Sequence, residues 1–277
     1  MPKQVKEIVV IEPRKKLSNY WNELWSYREL FYFLAWRDIA VRYKQTVVGI
    51  AWSVVRPVIT IAVFSVIFGK VAALPSEGIP YVILVTAATL PWQLFSTSLT
   101  ESTNSLVNSA GIISKVYFPR LTIPLSSIVM CLVDFAISLV ILALLMVYYG
   151  VVPGKEMLML PVFTLIAVMA SFGAGLWFSA LNVKYRDIKH IVPFIVQFGI
   201  YVSPVGFSST VVSEKWRLLY SLNPMVGVID GFRWAITGGK SYLYMEGLYL
   251  SLIVILVILV TGFLYFRKTE RTFVDVI

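Results

Sequence analysis

The chain has 277 residues, of which 58% are hydrophobic and only 14% are charged, and its mean hydropathy is +0.79. Such a chain has too few polar groups to cover a globular surface in water, so the composition excludes an ordinary soluble protein and predicts an all-α integral membrane domain surrounded by lipid. The net charge of +9 does not indicate nucleic-acid binding, because the basic residues lie between apolar segments instead of forming one basic face.

The first predicted element is a helix over 20–46, within an N-terminal segment, 1–46, that we expect to lie outside the membrane. Side chains recur there at spacings of three and four residues, which places them on one helical face. They are Trp21, Trp25, Arg28, Tyr32, Trp36, Ile39 and Tyr43. The acids and bases on the remaining surface are typical of an amphipathic helix in the membrane interface. An anchor in the headgroups and a contact with a substrate both fit this pattern.

Six apolar segments follow in the region 47–277, which we expect to be a single transmembrane domain. Each comes near the roughly 20 residues that cross about 30 Å of hydrocarbon. They are 47–68, 80–99, 123–149, 157–181, 191–207 and 246–266. The fifth is short and contains Gly199, Pro204 and Gly206. We therefore expect it to be broken or re-entrant, a form that is tolerated where protein or water lines the backbone.

The Lys and Arg residues fall mainly on one side of these six segments. Seventeen lie before the first segment, after the second or fourth, or after the sixth, six lie in the other connections, and Arg56 inside the first segment completes the 24. Basic connections tend to stay in the cytoplasm. The distribution therefore predicts that both termini are cytoplasmic, as an even number of spans requires.

Two connections carry further features. The connection 101–122 is rich in Asn and Ser and reaches Pro119, which is expected to end a short helix, because the residue before proline avoids helical geometry. The stretch 208–245 is too long for a simple connection. Its apolar residues before Asn223 and Pro224 predict two short amphipathic helices that lie on the outer leaflet or dip into it.

Two ionisable residues lie inside the predicted spans, where a charge costs at least about 2.5 kcal/mol on insertion scales. Arg56 either reaches the cytoplasmic headgroups with its long side chain or faces a partner or a path. Asp134 lies near the middle of the third span, where a buried hydrogen bond and a contact with a substrate or gate are the alternatives.

Catalytic and nucleotide-binding patterns are poor. The sequence has one histidine, His190, and no His or Cys cluster with metal-ligand spacing, so we expect no catalytic or metal site. The run Gly238-Gly239-Lys240-Ser241 is like the end of a phosphate-binding loop, but Trp234 stands where that motif has its first glycine. We predict a turn there and no nucleotide site in this chain.

Five short motifs, each weak by itself, occur in a fixed order along the chain. They are Arg42-Tyr43-Lys44-Gln45-Thr46-Val47-Val48-Gly49 with Trp52 and Pro57, Lys115-Val116-Tyr117-Phe118-Pro119-Arg120 with Pro124, Tyr185-Arg186-Asp187, Asn223-Pro224, and a tail with Phe266, Glu270, Phe273 and Asp275. Together with six spans, this order resembles the ABC-2 type permeases that export O-antigen, capsular polysaccharide and teichoic acid. The resemblance covers nearly the whole chain.

The resemblance implies a homodimeric channel for a lipid-linked glycan in the bacterial cytoplasmic membrane, in which a separate cytoplasmic ATPase subunit binds ATP and Mg. It also implies an interface helix near 20–44, a coupling helix near 104–118 and an external gate near 213–234. The expected coupling residues are Asn108, Lys115, Val116, Tyr117, Phe118 and Arg120. The expected gate residues are Trp216, Tyr220, Asn223 and Pro224.

The chemistry of such a substrate suggests which residues line its path. Sugar rings present apolar faces that stack on Trp and Tyr, and a pyrophosphate lipid head favours a basic entrance at the cytoplasmic interface. The expected path residues are Trp21, Trp25, Arg28, Tyr32, Trp36, Arg42, Arg56 and Asp134. Arg37 and Lys44 lie close enough in sequence to contribute to the entrance.

Four other functions remain open at this point. An ion-driven secondary transporter usually has several carboxylates near the membrane centre, whereas this chain offers Asp134. A membrane-embedded transferase needs a carboxylate or His pair at a lipid-facing cleft. A purely structural membrane subunit and an ABC-2 exporter of a drug or a simple lipid are the remaining alternatives.

Overall fold

A computed structural model describes residues 17–44, 47–76, 78–185 and 187–273, and within these ranges the secondary structure is helical, with no strand. The α-helices are α1 (Leu17–Ser26), α2 (Arg28–Lys44), α3 (Val47–Phe64), α4 (Tyr81–Asn108), α5 (Ala110–Ile113), α6 (Thr122–Tyr148), α7 (Leu160–Lys184), α8 (Ile188–Val202), α9 (Glu214–Tyr220), α10 (Pro224–Ile236) and α11 (Met245–Thr269). The all-α prediction is therefore confirmed. Two residues of the sequence motifs, Arg186 and Asp275, lie outside the described residues.

Five helical stretches are long and apolar enough to cross a membrane. They are Ala51–Val71, Tyr81–Asn108, Thr122–Tyr149, Lys155–Lys184 and Met245–Thr272. Five of the six predicted spans are thus present as helices of sufficient length. The remaining one contains α8, which has 15 residues and measures about 22 Å at 1.5 Å per residue. A sixth crossing therefore stays a prediction.

Helix α4 lies at the centre of the bundle, because it packs against α3, α6, α7, α8 and α10. The beginning of α1 and the end of α11 meet at one end of the bundle, where the Tyr20 hydroxyl donates to the Glu270 carboxylate over 3.3 Å. We call this the terminal end. Helices α9 and α10 lie near the start of α4, at the opposite end.

Helix α4 continues to Asn108, so the prediction of a connection over 101–122 was wrong in its first part. Two of the polar residues there bond back to carbonyls of the same helix, so they are compatible with its continuation. Thr103 Oγ1 donates to the Leu99 carbonyl over 2.7 Å, and Ser105 Oγ donates to the Ser102 carbonyl over 2.7 Å. The prediction that Pro119 ends a short helix was also wrong, because the short helix there, α5, already ends at Ile113.

The predicted helix over 20–46 is two helices in the structure, because the backbone turns at Tyr27. Apolar and polar residues are separated on α1 but mixed around α2, so the amphipathic pattern belongs to α1. The predicted stripe is also divided. Trp25 and Trp36 are exposed, whereas Ile39 packs against the core.

The chain leaves its helical path after α8 and runs as a buried non-helical segment over 203–208. Buried carbonyls outside a helix need donors, and Arg233 of α10 supplies them. Its guanidinium donates to the carbonyls of Phe207 over 2.7 Å, Val205 over 3.1 Å and Leu84 over 3.3 Å. The broken fifth segment is thus held by protein, as its glycine and proline residues suggested.

This arrangement corrects two predictions for 208–245. Arg233 was counted among the basic residues of the connections, but its side chain is only 2% exposed. Helix α10 is not a surface helix either, since it packs against α4, α7 and α11. Only α9, which has no buried residue, fits the surface prediction. The turn at Gly238 and Gly239 is confirmed by their φ angles of +63° and +78°.

Helices α7 and α11 cross at a close contact between two glycines. A Cβ atom on Gly173 would lie 2.7 Å from the Leu259 Cα atom, and a Cβ atom on Gly262 would overlap the Gly173 carbonyl. Just beyond, the rings of Trp177 and Tyr265 stack with centroids 4.4 Å apart. Small residues at such crossings let the backbones approach, which is how helices in lipid gain packing energy.

Candidate functional site

A charged cluster joins α2 to α4 and α6 near the terminal end. The Arg42 guanidinium lies 2.7 Å from Asp134 Oδ2 and 3.4 Å from Glu101 Oε1. The Tyr43 hydroxyl donates a hydrogen bond to Asp134 Oδ1. Burial, and then the bond to Asp134, raises the pKa of Tyr43. The structure thus brings together Arg42 and Asp134, two of the predicted path residues. Of the two alternatives for Asp134, a buried hydrogen bond or a substrate contact, it shows the hydrogen bond.

Asp38, which pairs with Arg37 on the same helix, attaches the middle of α2 to the start of α6. The Arg37 guanidinium lies 2.7 Å from Asp38 Oδ1, and the Ser126 hydroxyl donates to Asp38 Oδ2 over 3.3 Å. Between this pair and Arg42 lies a cavity of about 560 Å³, which also reaches Asn108. Arg37 and Arg42 are therefore compensated by neighbouring carboxylates.

A polar face runs along the second half of α4, on both sides of Glu101. Its residues are Gln93, Thr97, Thr100, Glu101, Asn104 and Asn108. Two cavities, of about 150 and 410 Å³, adjoin this face and share Arg56 and Gln93 in their walls. Asn108 was predicted as a coupling residue, but the other five were missed, although their spacing of three and four in an apolar segment was the signal that could have found them.

The predicted aromatic path residues of α1 and α2 lie outside this cluster. Trp21, Trp25, Tyr32 and Trp36 are all more than half exposed. Trp21 also stacks on Phe263 of α11, with ring centroids 5.8 Å apart. The side chain of Arg28 is exposed, and its contact with the Trp25 carbonyl is long, at 3.5 Å. Their contact with a substrate stays a prediction.

The predicted coupling residues divide into an exposed tip and a buried base. Asn108, Lys115, Val116 and Tyr117 are exposed, whereas Phe118 and Arg120 are buried. Arg120 fixes the tip, because its guanidinium donates to the Val116 carbonyl over 3.0 Å and lies over the Phe118 ring at 4.8 Å. The exposed residues are thus available to a partner, while the buried ones position them.

Glu270, just after α11, connects this segment to α1. Its Oε1 atom accepts from the Arg120 backbone N–H over 2.8 Å, and Oε2 accepts from the Tyr20 hydroxyl over 3.3 Å. The Arg267 guanidinium lies over the Tyr20 ring at 4.7 Å. Burial, together with the Glu270 carboxylate, raises the pKa of Tyr20. The Glu270 carboxylate therefore joins three parts of the chain: the buried base at Arg120, helix α1, and the end of α11.

The predicted gate residues lie around α9 and the start of α10. Trp216 is exposed and Tyr220 is partly buried. The Asn223 side chain caps α10, because Oδ1 accepts from the Met225 N–H over 3.0 Å, and Nδ2 donates to Ser203 Oγ over 2.9 Å. Pro224 occupies the first turn of α10, where its missing N–H does no harm. Sequence reasoning missed Arg233, which holds this region to α4.

The helical bundle, with the two cavities along α4 that we call the cleft, is typical of a membrane transport protein of the permease class. The family described as ABC-2 type transporter matches residues 29–237, which include α2 to α10. The chain belongs to this family.

The chain is similar to three proteins with related names. The O-antigen export system permease protein RfbA of Klebsiella pneumoniae is 29% identical over 243 residues, which are 87% of this chain and 92% of that protein. The protein of the same name from Myxococcus xanthus is 30% identical over 213 residues, which are 76% and 81%. The polysialic acid transport protein KpsM of Escherichia coli is 20% identical over 238 residues, which are 85% and 91%.

Replacing Arg42 with Gln should destabilise the bundle, because Asp134 and Glu101 lose their shared cation. The groups are partly exposed, with 31% of the Arg42 side chain accessible, so we expect a loss of about 1–2 kcal/mol. In a double-mutant cycle, Asp134→Asn should cost less in the Arg42→Gln background than in the native one. Thermal unfolding in detergent measures both. Arg28→Gln is the control, and additive losses would contradict the pairing.

Proposed function

We propose that this chain is the membrane subunit of an ATP-driven exporter of lipid-linked polysaccharide, with O-antigen first among the candidate cargoes and capsular polysaccharide or teichoic acid next. The observation that carries this proposal is the similarity over nearly the whole chain to permeases named for O-antigen export. The cleft along α4 supports it, since amide and hydroxyl groups suit a polyhydroxylated cargo.

The proposed energy source is a separate ABC ATPase subunit that binds ATP and Mg. The sequence supports this, because its one phosphate-loop-like run lacks the first glycine. We assign the docking contact to the exposed tip around Lys115 and Tyr117. The terminal end is then cytoplasmic, in agreement with the Lys and Arg distribution, which becomes more one-sided when Arg233 is taken as a core residue.

The proposed channel is formed by two copies of the chain. The cleft supports this, because its walls come from α3 and α8 on either side of α4, and α3 presents exposed apolar residues such as Val54, Val58 and Ile59 beside it. A second copy placed there would close the cleft and cover these residues.

The test is export by the purified chain in liposomes, with and without its ATPase subunit. We expect ATP hydrolysis only when the ATPase is present, and movement of a lipid-linked glycan only when both subunits and ATP are present. An ATPase subunit with its phosphate-loop Lys replaced is the control. Export driven by an ion gradient without ATP would indicate a secondary transporter, and equal movement of a lipid without a glycan would indicate a lipid exporter.

Substitutions at the exposed tip should weaken the contact between this chain and the ATPase subunit. Lys115→Glu or Tyr117→Ala is expected to reduce ATPase binding and export at least fivefold, because both side chains are exposed at the proposed contact. Membrane insertion and the thermal unfolding midpoint should be unchanged. Lys189→Glu, at an exposed position after α7, is the matched control. Normal export by the tip variants would place the contact elsewhere.

A further inference from the structure

Arg56 differs from the other arginines near the cleft in having no compensating partner. Its side chain is exposed on α3, inside the stretch Ala51–Val71, and its guanidinium forms no hydrogen bond or ion pair with the part of the chain that the structure describes. By contrast, Arg42 lies against two carboxylates and Arg233 binds three carbonyls. A guanidinium inside a membrane-spanning segment is unfavourable unless a partner or water faces it.

The larger of the two cavities beside Arg56 provides donors but no negative charge, whereas the smaller one, of about 150 Å³, is also lined by Asp134, the carboxylate that pairs with Arg42. The cavity of about 410 Å³ is lined by Arg56, the amides of Gln93 and Gln197, hydroxyls such as that of Thr100, and the rings of Trp92 and Tyr201, with no carboxylate. Its volume falls within the range of about 300–1,000 Å³ that is usual for ligand sites. Amide groups can bind sugar hydroxyls, and aromatic rings can pack on sugar faces.

We propose that Arg56 binds an oxyanion, a phosphate or a carboxylate, of the transported molecule as it passes between α3, α4 and α8. A guanidinium pairs with both kinds of group through two parallel hydrogen bonds. Gln93 and Gln197 then hold neighbouring hydroxyls. The inference rests on the proposed function and adds that the cargo is anionic at this point. It also moves the basic site from Arg37 and Arg42, which already have carboxylate partners, to Arg56.

The oxyanion has two possible sources, which separate probes distinguish. The full-length chain with its ATPase, in lipid nanodiscs, is titrated with a polyprenyl pyrophosphate without sugar, an oligoglucuronate without lipid, and a neutral dextran oligosaccharide. Arg56→Gln should weaken binding of at least one anionic probe tenfold or more, and Arg56→Lys should restore part of it because the charge is kept. If binding of the pyrophosphate probe is weakened, Arg56 binds the lipid head. If binding of the oligoglucuronate probe is weakened, Arg56 binds an acidic sugar.

Lys70→Gln is the matched control, because it removes one exposed charge from the same helical stretch. Equal Kd values for both anionic probes in the native chain and Arg56→Gln would overturn the proposal. So would equal weakening by Lys70→Gln, or an effect that appears only as loss of dimer, which would assign Arg56 to a contact between copies. ATP-dependent glycan export with an unchanged Kd refutes only this inference, whereas absence of export from the native complex refutes the proposed function.

Discussion

Replacing Arg233 with Met is expected to lower the free energy of unfolding by about 3 kcal/mol or more. The side chain is 2% exposed, and Met keeps its apolar bulk while removing every donor. The carbonyls of Val205 and Phe207 lie in the non-helical segment after α8, and each buried carbonyl that loses its donor costs about 1–3 kcal/mol. Arg233→Lys should recover little, because one ammonium cannot reach carbonyls on both sides of the fork.

The measurement is the thermal unfolding midpoint in detergent, with Arg217→Met as the control. Arg217 lies on the short helix α9, at the same end of the bundle as Arg233. It also donates to two carbonyls, those of Val212 and Thr210, but its side chain is partly exposed. Water can replace its hydrogen bonds, so we expect a much smaller shift. Equal shifts for the two variants would show that Arg233 does not hold the non-helical segment.

Replacing Gly173 with Ala is expected to destabilise the chain by about 1–3 kcal/mol, which is typical of overpacked cores. The added methyl group would lie 2.7 Å from the Leu259 Cα atom and 2.8 Å from its backbone N, and backbone atoms cannot rotate away as a side chain does. Helices α7 and α11 must therefore separate. Gly262→Ala should have a similar effect, because its methyl group meets the Gly173 carbonyl.

The control for this pair is Gly111→Ala in α5, where nothing lies within 4 Å of the added methyl group. Alanine also favours a helix over glycine by roughly 1 kcal/mol, so this variant should unfold at the same temperature as the native chain or slightly above it. If Gly173→Ala and Gly111→Ala unfold alike, the two helices are not packed as closely as the structure has them.

Apolar segments of sufficient length were predictable, because crossing a membrane fixes the number of residues and their polarity. The errors came from polar residues. The Ser, Thr and Asn residues near 102–108 predicted a connection, but the hydroxyls of Thr103 and Ser105 and the Asn104 amide donate to carbonyls within α4, and the helix continues. Composition alone does not tell whether a hydroxyl faces water or its own helix.

The site was only partly predictable for a related reason. Asp134 was recognised as unusual, since a lone carboxylate in an apolar segment needs a partner. That the partner is Arg42 depends on where α2 packs, and no local pattern carries this information. Arg233 was misassigned because it lies between two of the six predicted spans, and its burial depends on the broken path after α8.

Helix α4 has 28 residues and is about 42 Å long at 1.5 Å per residue. It is bonded near both ends, through Glu101 to Arg42 and through the Leu84 carbonyl to Arg233. A rigid tilt of about 10° around its centre displaces each end by about 4 Å, whereas a hydrogen bond is lost after about 1 Å. If α4 moves as a rigid body, it therefore cannot tilt without breaking the contact with Arg42 or the contact with Arg233. The point where it can flex instead is Pro91, which has no N–H to complete the helical ladder.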